Sequence, residues 1–503
     1  MGILSGLQPE RVFYYFEEIS KIPHGSGNVE GISNYLADFA KQKGLFCIQD
    51  AWKNIIIVKH ATKGYEKEPS LILQGHMDMV AVHDTDCSID MKKDGLRLGI
   101  DGDDIYAEGT SLGGDDGIAL AYALAILDSD TLQHPRLEVV ITVDEEVGMD
   151  GAREIDISML RSHRMINLDS EEEGHFLTSC AGGARVTCEF AVDMEDRKGI
   201  LCGINVTGLQ GGHSGTEIHK ERGNSNVLFA RVLKKLTDEL PVQLVEIKGG
   251  NADNAIPQET KAIVLLPGEK SASDELQSMN EEAGRLDEIL RKIQQEIAEE
   301  LAVRDPGFCL SWNINRKINV QKMPELQVLT ADATRMVAVA LNALPNGVQA
   351  MSQDLLGMVE TSLNFGMLRL NPGKIKADFA VRSSMESAKK ALIDRMASVV
   401  ELADGTFIVS GDYPGWQYRQ DSPLRDKMVA VYQEMYGIEP QLEAVHAGLE
   451  CGLLVSKIQD LDCVSIGPDM KNIHTTKETL SISSVERVWN YLVKLLETKD
   501  NFS

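Results

Sequence analysis

Continuous apolar runs alternate with segments of helical spacing along the first third of the chain. Runs without polar interruption are typical of strands buried on both faces of a sheet. They lie at residues 55–58, 71–74, 137–143 and 165–168. Helical spacing occurs at residues 8–21, at residues 31–44, where Gly44 closes the helix, and in the apolar segment 116–127. Strands alternating with helices predict a layered α/β domain.

The pattern changes after about residue 185. Residues 185–193 and 199–208 predict antiparallel strands, and residues 273–302 predict a long helix that packs on one face only. The apolar positions of this helix are Leu276, Met279, Ala283, Leu286, Leu290, Ile293 and Ile297. Helix–strand alternation returns after residue 411. The sequence therefore predicts an α/β domain of residues 1–185 and 412–503, into which an α+β domain of residues 186–411 is inserted.

Composition narrows the class of protein and its partners. A chain of 503 residues is long enough for two to four domains, and its net charge of −27 argues against nucleic acid or an anionic membrane as the main partner. Eight cysteines without a C-x-x-C pair indicate a reducing compartment. The N-terminal segment does not resemble a secretory leader, and no apolar run approaches the roughly 20 residues that span a bilayer. We therefore expect a cytoplasmic protein.

Residues of metal-ligand type lie where the predicted strands end or a predicted helix begins. They are His76, Asp78, Asp115, Asp116, Asp144, Glu145, Glu146 and Asp169, with His474 far downstream. Imidazole and carboxylate suit a divalent cation, and the carboxyl ends of the strands of an α/β sheet meet at its ligand crevice. Taken singly, each residue also fits a helix N-cap or a solvated surface position. Together they place too much acid in one crevice without a cation to neutralise it.

Five segments carry a resemblance to a known family. "GHMDMV", "GTSLGGDDGIALA", "VDEEVGMDGA", "INLDSEE" and "GPDMKNIHTTKETLSI" resemble the metal-site segments of the M20 co-catalytic zinc peptidases, in the same order. "IPHGSGN", "LTSCAGG", "GGHSGTEIHKERGN" and "HAGLECG" resemble the aminoacyl-histidine dipeptidase branch of that family. The resemblance covers nearly the whole chain. It implies a mixed-sheet zinc-exopeptidase catalytic domain and an inserted lid domain that also carries a dimer interface.

The resemblance also implies a set of metal ligands. His76, Asp115 and Asp169 would bind one ion. Asp115, Glu146 and His474 would bind a second ion, so that Asp115 bridges the two. A cis peptide bond is implied directly after Asp115. Zinc is the expected metal, and cobalt and manganese accept the same ligands.

Two carboxylates beside these ligands receive other roles from the resemblance. Asp78 would accept the second ring N–H of His76, and Glu145 would be the general base toward a water between the ions. Side chains alternate in direction along an extended backbone. Glu145 and Glu146 are therefore expected to point apart, with Glu146 on the metal. No role is assigned to Asp144.

The remaining candidates would contact the substrate. His213 resembles the family histidine that stabilises a tetrahedral oxyanion. Asn254 and Arg382 match positions that bind the substrate carboxylate, for which a planar guanidinium is suited. A structural salt bridge is the alternative role for Arg382. Glu450, in "HAGLECG", would meet the substrate amine.

The resemblance implies a dinuclear, homodimeric dipeptidase that hydrolyses unblocked dipeptides, above all those with a C-terminal histidine such as carnosine. Another M20 hydrolase, a tripeptidase or an aminoacylase, is the alternative, because the substrate pocket is not readable from one sequence. A non-catalytic metal-binding scaffold would be expected to lack a ligand or the base, and all seven positions are present. The sequence has no H-E-x-x-H, G-x-S-x-G, Walker or G-x-G-x-x-G motif.

Overall fold

The structure, a computed structural model, describes residues 2–267, 275–315 and 325–500, with backbone only for residues 275–280. The helices are α1 (Glu10–Ser20), α2 (Glu30–Gln42), α3 (Gly114–Asp128), α4 (Asp150–Glu154), α5 (Ser225–Glu239), α6 (Glu275–Leu301), α7 (Ala331–Ala343), α8 (Glu386–Leu402), α9 (Pro423–Tyr436), α10 (Glu450–Lys457) and α11 (Ile482–Glu497). The strands of the first half are β1 (Phe46–Gln49), β2 (Ile55–Lys59), β3 (Leu71–His76), β4 (Leu98–Asp101), β5 (Asp104–Ala107), β6 (Leu137–Thr142), β7 (Arg164–Asn167), β8 (His175–Cys180), β9 (Gly182–Ala191), β10 (Met194–Arg197), β11 (Gly199–Thr207), β12 (Gly212–His213) and β13 (Gln243–Gly249). Those of the second half are β14 (Ala255–Ile256), β15 (Thr260–Pro267), β16 (Cys309–Ile314), β17 (Leu326–Leu329), β18 (Gly347–Met351), β19 (Val359–Asn371), β20 (Lys374–Ser383), β21 (Thr406–Tyr413), β22 (Gln441–Val445), β23 (Asp462–Ser465), β24 (Met470–Lys471) and β25 (Thr479–Ser481).

The chain forms two compact units. Unit 1 consists of Met1–Cys180, Trp416–Ala444 and Leu449–Ser503, and unit 2 of Ala181–Gly415 and Val445–Gly448. The chain passes from unit 1 to unit 2 between residues 180 and 181 and returns between residues 415 and 416. The sequence placed these two boundaries at 185/186 and 411/412. The sequence also placed residues 445–448 in the catalytic domain. They belong to unit 2 because the Ala181 N–H donates to the carbonyls of both Val445 and Ala447, at 3.1 and 3.0 Å.

Unit 1 is built on a mixed sheet whose strand order is β1-β2-β6-β3-β7-β23-β8-β22. The neighbours β6, β3, β7 and β23 run parallel, and β1, β2 and β8 are antiparallel to their partners. Ile55 and Ile57 face the main hydrophobic core, while Ile56 and Val58 are buried on the other side of the sheet. The strand prediction for the continuous apolar runs is confirmed. The carboxyl ends of the parallel strands meet at one edge of the sheet.

The main core of unit 1 lies between this sheet and its helices. The apolar face of α1, including Phe13, Phe16 and Ile19, packs into this core together with α3. Helix α3 is apolar on all sides, as predicted for residues 116–127, and is buried from Gly114 to Leu127. A helix of this kind needs cover on every face, and α1 supplies part of it.

Unit 2 is an α+β unit with an antiparallel sheet of order β16-β11-β15-β13-β19-β20-β9-β21, and β18 also pairs with β19. Helices α5, α6, α7 and α8 contribute to its hydrophobic core. In α6 the predicted apolar positions from Ala283 to Ile297 are buried, so the one-sided packing is confirmed there. Residues 273–274 and the side chains of Leu276 and Met279 lie outside the described part.

No helix within residues 2–267, 275–315 and 325–500 combines the length and hydropathy needed to cross a membrane.

Candidate metal centre and substrate-binding residues

Three neighbouring parallel strands bring ligand-type side chains to one edge of the unit 1 sheet. Strand β3 ends on His76, β6 leads into the turn that contains Glu146, and β7 is followed closely by Asp169. Asp115 lies in the first turn of α3, and His474 follows β24. The fold therefore brings together residues that are almost 400 positions apart in the chain.

Asp115 lies between the two imidazoles. Its Oδ1 is 3.1 Å from His76 Nε2, and its Oδ2 is 3.0 Å from His474 Nε2. Asp169 Oδ1 lies 3.5 Å from His76 Nε2, and Glu146 Oε1 lies 3.0 Å from His474 Nε2. The five residues implied as ligands thus form two groups that share Asp115.

The donor set fits divalent metal. Glu146 Oε1 is buried without a hydrogen bond, although it lies 3.0 Å from His474 Nε2. The carboxylates of Asp115 and Glu146 beside it raise the pKa of His474 to about 10, and burial raises the pKa of Asp169 to about 6. The proton on the His474 imidazole thus offsets part of the negative charge concentrated here. A cation bound by imidazole nitrogen and carboxylate oxygen would replace that proton.

Asp116 is a further residue of this cluster that the sequence did not single out as a ligand. One oxygen of Asp116, one of Asp169 and a ring nitrogen of His76 lie within 4.8 Å of one another. However, Asp116 Oδ2 accepts the backbone N–H of His76 at 3.1 Å. Asp115 has both oxygens directed at imidazoles and fits the bridging position better. The peptide bond between Asp115 and Asp116 is cis, as the resemblance implied.

The turn after β6 corrects the expected geometry of the two glutamates. Strand β6 ends at Thr142, Asp144 has a φ of 54°, and residues 145–148 form a turn. Strand alternation therefore does not separate Glu145 from Glu146, because neither residue lies on extended backbone. Asp144 has a structural role that the sequence did not reveal: its carboxylate accepts the Gly27 N–H at 2.7 Å and anchors the turn.

Asp78 contacts His76 differently from the expectation. The Nδ1 atom of His76 lies 3.0 Å from the backbone carbonyl of Asp78 and 3.6 Å from its carboxylate. The carbonyl can take only a donated proton, so it fixes the tautomer that leaves Nε2 free for metal. The Asp78 carboxylate instead accepts the backbone N–H groups of Glu145 at 3.0 Å and Glu146 at 3.4 Å. It thereby positions the turn that carries both glutamates.

Burial makes Glu145 a strong proton acceptor once it is ionised. Burial raises the pKa of Glu145 well above its ordinary value, and the charges of Asp169 and Glu450 raise it further, while His76 opposes them. A carboxylate that gains a proton easily and is held beside the ligands suits general acid–base catalysis.

Glu478 is a buried glutamate beside the metal ligands that sequence reasoning missed. Its carboxylate accepts the backbone N–H groups of Leu112, Gly113, Gly114 and Asp115 at 2.8, 3.1, 2.8 and 3.3 Å. The signal available in the sequence was the glycine pair before the aspartates, because successive free N–H groups form a nest that binds an anion. Glu478 thus holds the loop that presents Asp115.

His213 lies in unit 2 with a defined tautomer. Its Nδ1 accepts the backbone N–H groups of Gly215 and Thr216 at 3.3 and 3.1 Å, so the ring proton is on Nε2. Burial and the charge of Arg382 lower the pKa of His213. The ring is therefore neutral and presents one N–H donor, as an oxyanion-stabilising group requires.

The other unit 2 candidates lie on neighbouring segments. Asn254 is exposed, and its carbonyl accepts the N–H of Ser214, next to His213. The Arg382 Nη1 lies 3.3 Å from the Tyr413 hydroxyl, and its Nε is buried without a hydrogen-bond partner. Among the described residues Arg382 makes no ion pair, so a structural salt bridge does not account for it there.

His446, in unit 2, is a further residue that sequence reasoning missed. It is buried, and its Nε2 lies 2.7 Å from the Ser362 hydroxyl. Burial and the charge of Arg382 lower its pKa to about 3, so the ring is neutral. The sequence signal was the "HAGLECG" segment, in which only Glu450 was considered.

Glu450 does not occupy the predicted position of a substrate contact. It is 0% exposed in unit 1, and its Oε2 accepts hydrogen bonds from Gln74 Nε2 at 2.6 Å and Thr142 Oγ1 at 2.5 Å. Burial raises its pKa to about 8. A side chain enclosed in this way cannot receive a substrate amine, so the predicted role is corrected.

The α/β sheet, the imidazole–carboxylate cluster and the buried glutamate beside it define a metal-dependent hydrolase with the architecture of the zinc exopeptidases. The family model of peptidase family M20/M25/M40 matches residues 72–498, and the chain belongs to this family of metallopeptidases. The resemblance stated from the sequence is confirmed.

Relatives of known name cover the whole chain. The cytosol non-specific dipeptidase of Escherichia coli is 36% identical over 502 residues, which is 99% of each chain. The crystal structure of the aminoacylhistidine dipeptidase of Vibrio alginolyticus superposes with a TM-score of 0.90 at 34% identity, over 100% of this chain and 99% of the other. The aminopeptidase PepT of Bacillus cereus shares the fold, with a TM-score of 0.53 at 14% identity and 98% of each chain covered.

Proposed function

We propose that the protein is a dinuclear metal-dependent dipeptidase that hydrolyses unblocked dipeptides and prefers those with a C-terminal histidine. The observation that carries the proposal is the Asp115 carboxylate, whose two oxygens face two imidazoles from separate parts of the chain. The two relatives with 36% and 34% identity are named as dipeptidases, one of them as an aminoacylhistidine dipeptidase. The name of the Escherichia coli relative also supports a cytoplasmic location.

The chain would hold two divalent ions, zinc in the first place. His76 and Asp169 would bind one, Glu146 and His474 the other, and Asp115 both. When bound, the ions supply Lewis-acid activation of the scissile carbonyl and of water. Incubation of the metal-free protein with zinc, cobalt or manganese, followed by elemental analysis and assay, tests both the number and the identity of the ions.

The protein side chains would supply the proton transfers and the orientation. Glu145 would accept a proton from the attacking water and deliver it to the leaving amine. Asp78 holds the backbone of Glu145 in place through the N–H group at 3.0 Å. His213 would donate its Nε2–H to the developing oxyanion, and Arg382 would pair with the substrate carboxylate.

A substrate panel tests the proposed specificity. Xaa-His dipeptides, Xaa-Ala dipeptides, tripeptides and N-acylated amino acids would be compared by kcat/KM with the metal-loaded protein. The highest value is expected for Xaa-His. Equal values for Xaa-His and Xaa-Ala would support a non-specific dipeptidase, and preference for a tripeptide or an acylated amino acid would identify another M20 hydrolase. Absence of turnover on every amide would support a metal-binding scaffold.

Glu146→Ala is expected to lower the metal content at one of the two sites. Glu146 Oε1 lies 3.0 Å from His474 Nε2, whereas its ligand atom is placed only within 4.8 Å of that of His76, so the group built on His474 should lose a ligand first. Elemental analysis measures the number of metal ions bound per chain. Glu154→Ala, at an exposed glutamate of α4, is the control and should keep full metal content. An unchanged metal content in Glu146→Ala would contradict the ligand role.

We also propose a homodimer, as the resemblance implies for the inserted domain. Sedimentation velocity of the metal-loaded protein is expected to give a mass near twice the 55.3 kDa of one chain. A single species of monomer mass at all concentrations would rule out this part of the proposal.

A further inference from the structure

Glu450 begins helix α10 and lies entirely inside unit 1. Both of its hydrogen bonds are made by one oxygen, Oε2, which accepts from Gln74 at 2.6 Å and from Thr142 at 2.5 Å. The other oxygen, Oε1, is buried and has no hydrogen-bond partner among the described residues. Leaving part of a carboxyl group unsatisfied in the interior costs stability, and such groups call for an explanation.

The hydrogen bonds continue from Gln74 across the sheet. Gln74 Oε1 accepts from Asn167 Nδ2 at 2.6 Å, and Asn167 Oδ1 accepts from Ser465 Oγ at 2.5 Å. The Ser465 hydroxyl lies 2.8 Å from that of Ser170. A continuous buried chain of polar side chains thus runs from Glu450 to Ser170. We call it the buried polar chain; its members are Thr142, Glu450, Gln74, Asn167, Ser465 and Ser170.

Four parallel strands each contribute one member at or near their carboxyl ends. Gln74, Thr142, Asn167 and Ser465 directly follow the core residues Leu73, Ile141, Ile166 and Val464. Because side chains alternate along a strand, the four polar side chains point to the face opposite the main core. All of them are buried.

Three members of the buried polar chain lie two or three residues before a predicted metal ligand or the proposed general base. Gln74 comes two residues before His76, Thr142 three residues before Glu145, and Asn167 two residues before Asp169. Backbone pairing of β3 with β6, from Leu71 opposite Leu137 to His76 opposite Thr142, sets the register of the two strands. Glu450 adds a side-chain bridge between Thr142 at the end of β6 and Gln74 on β3, directly before the turn that carries Glu145.

We propose that Glu450 is a positioning residue that places Glu145 over the metal ligands through its hydrogen bonds to Thr142 and Gln74, without touching the substrate. The inference rests on the proposed function, in which Glu145 is the general base. Since one oxygen makes both hydrogen bonds, a neutral amide oxygen at the same place would make them equally well. The length of the Glu450 side chain should therefore affect kcat more than its charge does.

Two conservative variants separate reach from charge. Glu450→Gln keeps the length and the acceptor, and its kcat is expected to stay within about threefold of wild type. Glu450→Asp keeps the carboxyl group but shortens the side chain by one methylene, and its kcat is expected to fall about 10- to 100-fold, with KM and metal content unchanged. Thr142→Val removes the 2.5 Å hydrogen bond to Glu450, together with the longer contacts of the hydroxyl to the Gly75 carbonyl at 3.2 Å and to Gln74 Nε2 at 3.4 Å, and should lower kcat in the same way.

Glu138→Gln is the matched control. Glu138 is also 0% exposed and lies on β6, but near its beginning, where it accepts from Arg136, Arg161 and Ser162. This variant should lower Tm without lowering kcat. The comparison separates loss of stability from loss of positioning.

Each other outcome overturns the inference. An active Glu450→Asp together with an inactive Glu450→Gln would show that the charge acts, and two fully active variants would show no role. A rise in KM, with lost preference for free over N-acetylated dipeptides, would show a substrate contact. If Glu450→Asp does not fold, Thr142→Val decides: wild-type kcat in that variant would refute the positioning. A wild type that cleaves no dipeptide would refute the proposed function instead, and the same variants would then be ranked on whichever amide it hydrolyses.

Discussion

Glu145→Gln is expected to lower kcat by about 10²- to 10⁴-fold, the usual contribution of a general acid–base group. The amide cannot accept the proton of the attacking water, yet it has nearly the same size and can stay in the same turn. That turn is held by the Asp78 carboxylate, which binds the backbone of Glu145 and not its side chain. The variant should therefore fold normally and keep its metal.

Stopped-time assays with an Xaa-His dipeptide and elemental analysis would measure the two quantities. Glu154→Gln, at an exposed position of α4, should behave as wild type and provides the control for loss of one nearby negative charge. Loss of metal from Glu145→Gln would show that Glu145 and Glu146 have been assigned in the wrong order. Retained turnover would show that another group takes the proton.

Asp115→Ala is expected to remove both metal ions and all measurable turnover. Asp115 is the only one of the five predicted ligands that contacts both imidazoles, at 3.1 and 3.0 Å, so its loss should weaken both groups at once. Metal bound to the folded state stabilises it by mass action, and added zinc should raise the Tm of the metal-free wild type. The same addition should leave the Tm of Asp115→Ala unchanged.

Asp116→Asn provides the comparison for this prediction. Asp116 lies near His76 and Asp169, but its Oδ2 accepts the backbone N–H of His76. An asparagine oxygen can still accept that hydrogen bond, so the variant should keep both ions. If Asp116→Asn loses metal while Asp115→Ala retains it, Asp116 and not Asp115 is the ligand.

The hydrophobic pattern within single segments was sufficient to predict several strands and the buried helix of unit 1. The continuous apolar runs at residues 55–58 and 137–143 are strands with both faces buried, and residues 116–127 form the enclosed helix. Hydrophobic periodicity reports directly on which faces are covered, so these elements were readable from one sequence. The candidate ligands were named through the resemblance of the motifs, and the fold brings the side chains of these five residues together.

The immediate surroundings of the site were not readable in the same way. The backbone carbonyl of Asp78, rather than its carboxylate, faces His76 Nδ1, and Glu145 and Glu146 both lie in a turn rather than on a strand. These features depend on where β3 and β6 end, which residue spacing does not specify. Element ends are set by tertiary hydrogen bonds, such as that from Gly27 to Asp144 across more than 100 residues.

The sequence by itself determined the layered α/β class, the inserted second unit, the family and the residue types available for metal binding. Only the tertiary structure decided which oxygen faces which imidazole, that residues 445–448 join unit 2, and that Glu450 is enclosed among Gln74 and Thr142. The reason is physical. Burial and periodicity are local properties of a segment, whereas the partner of a buried polar group is chosen by segments hundreds of residues away, once the sheet has brought them together.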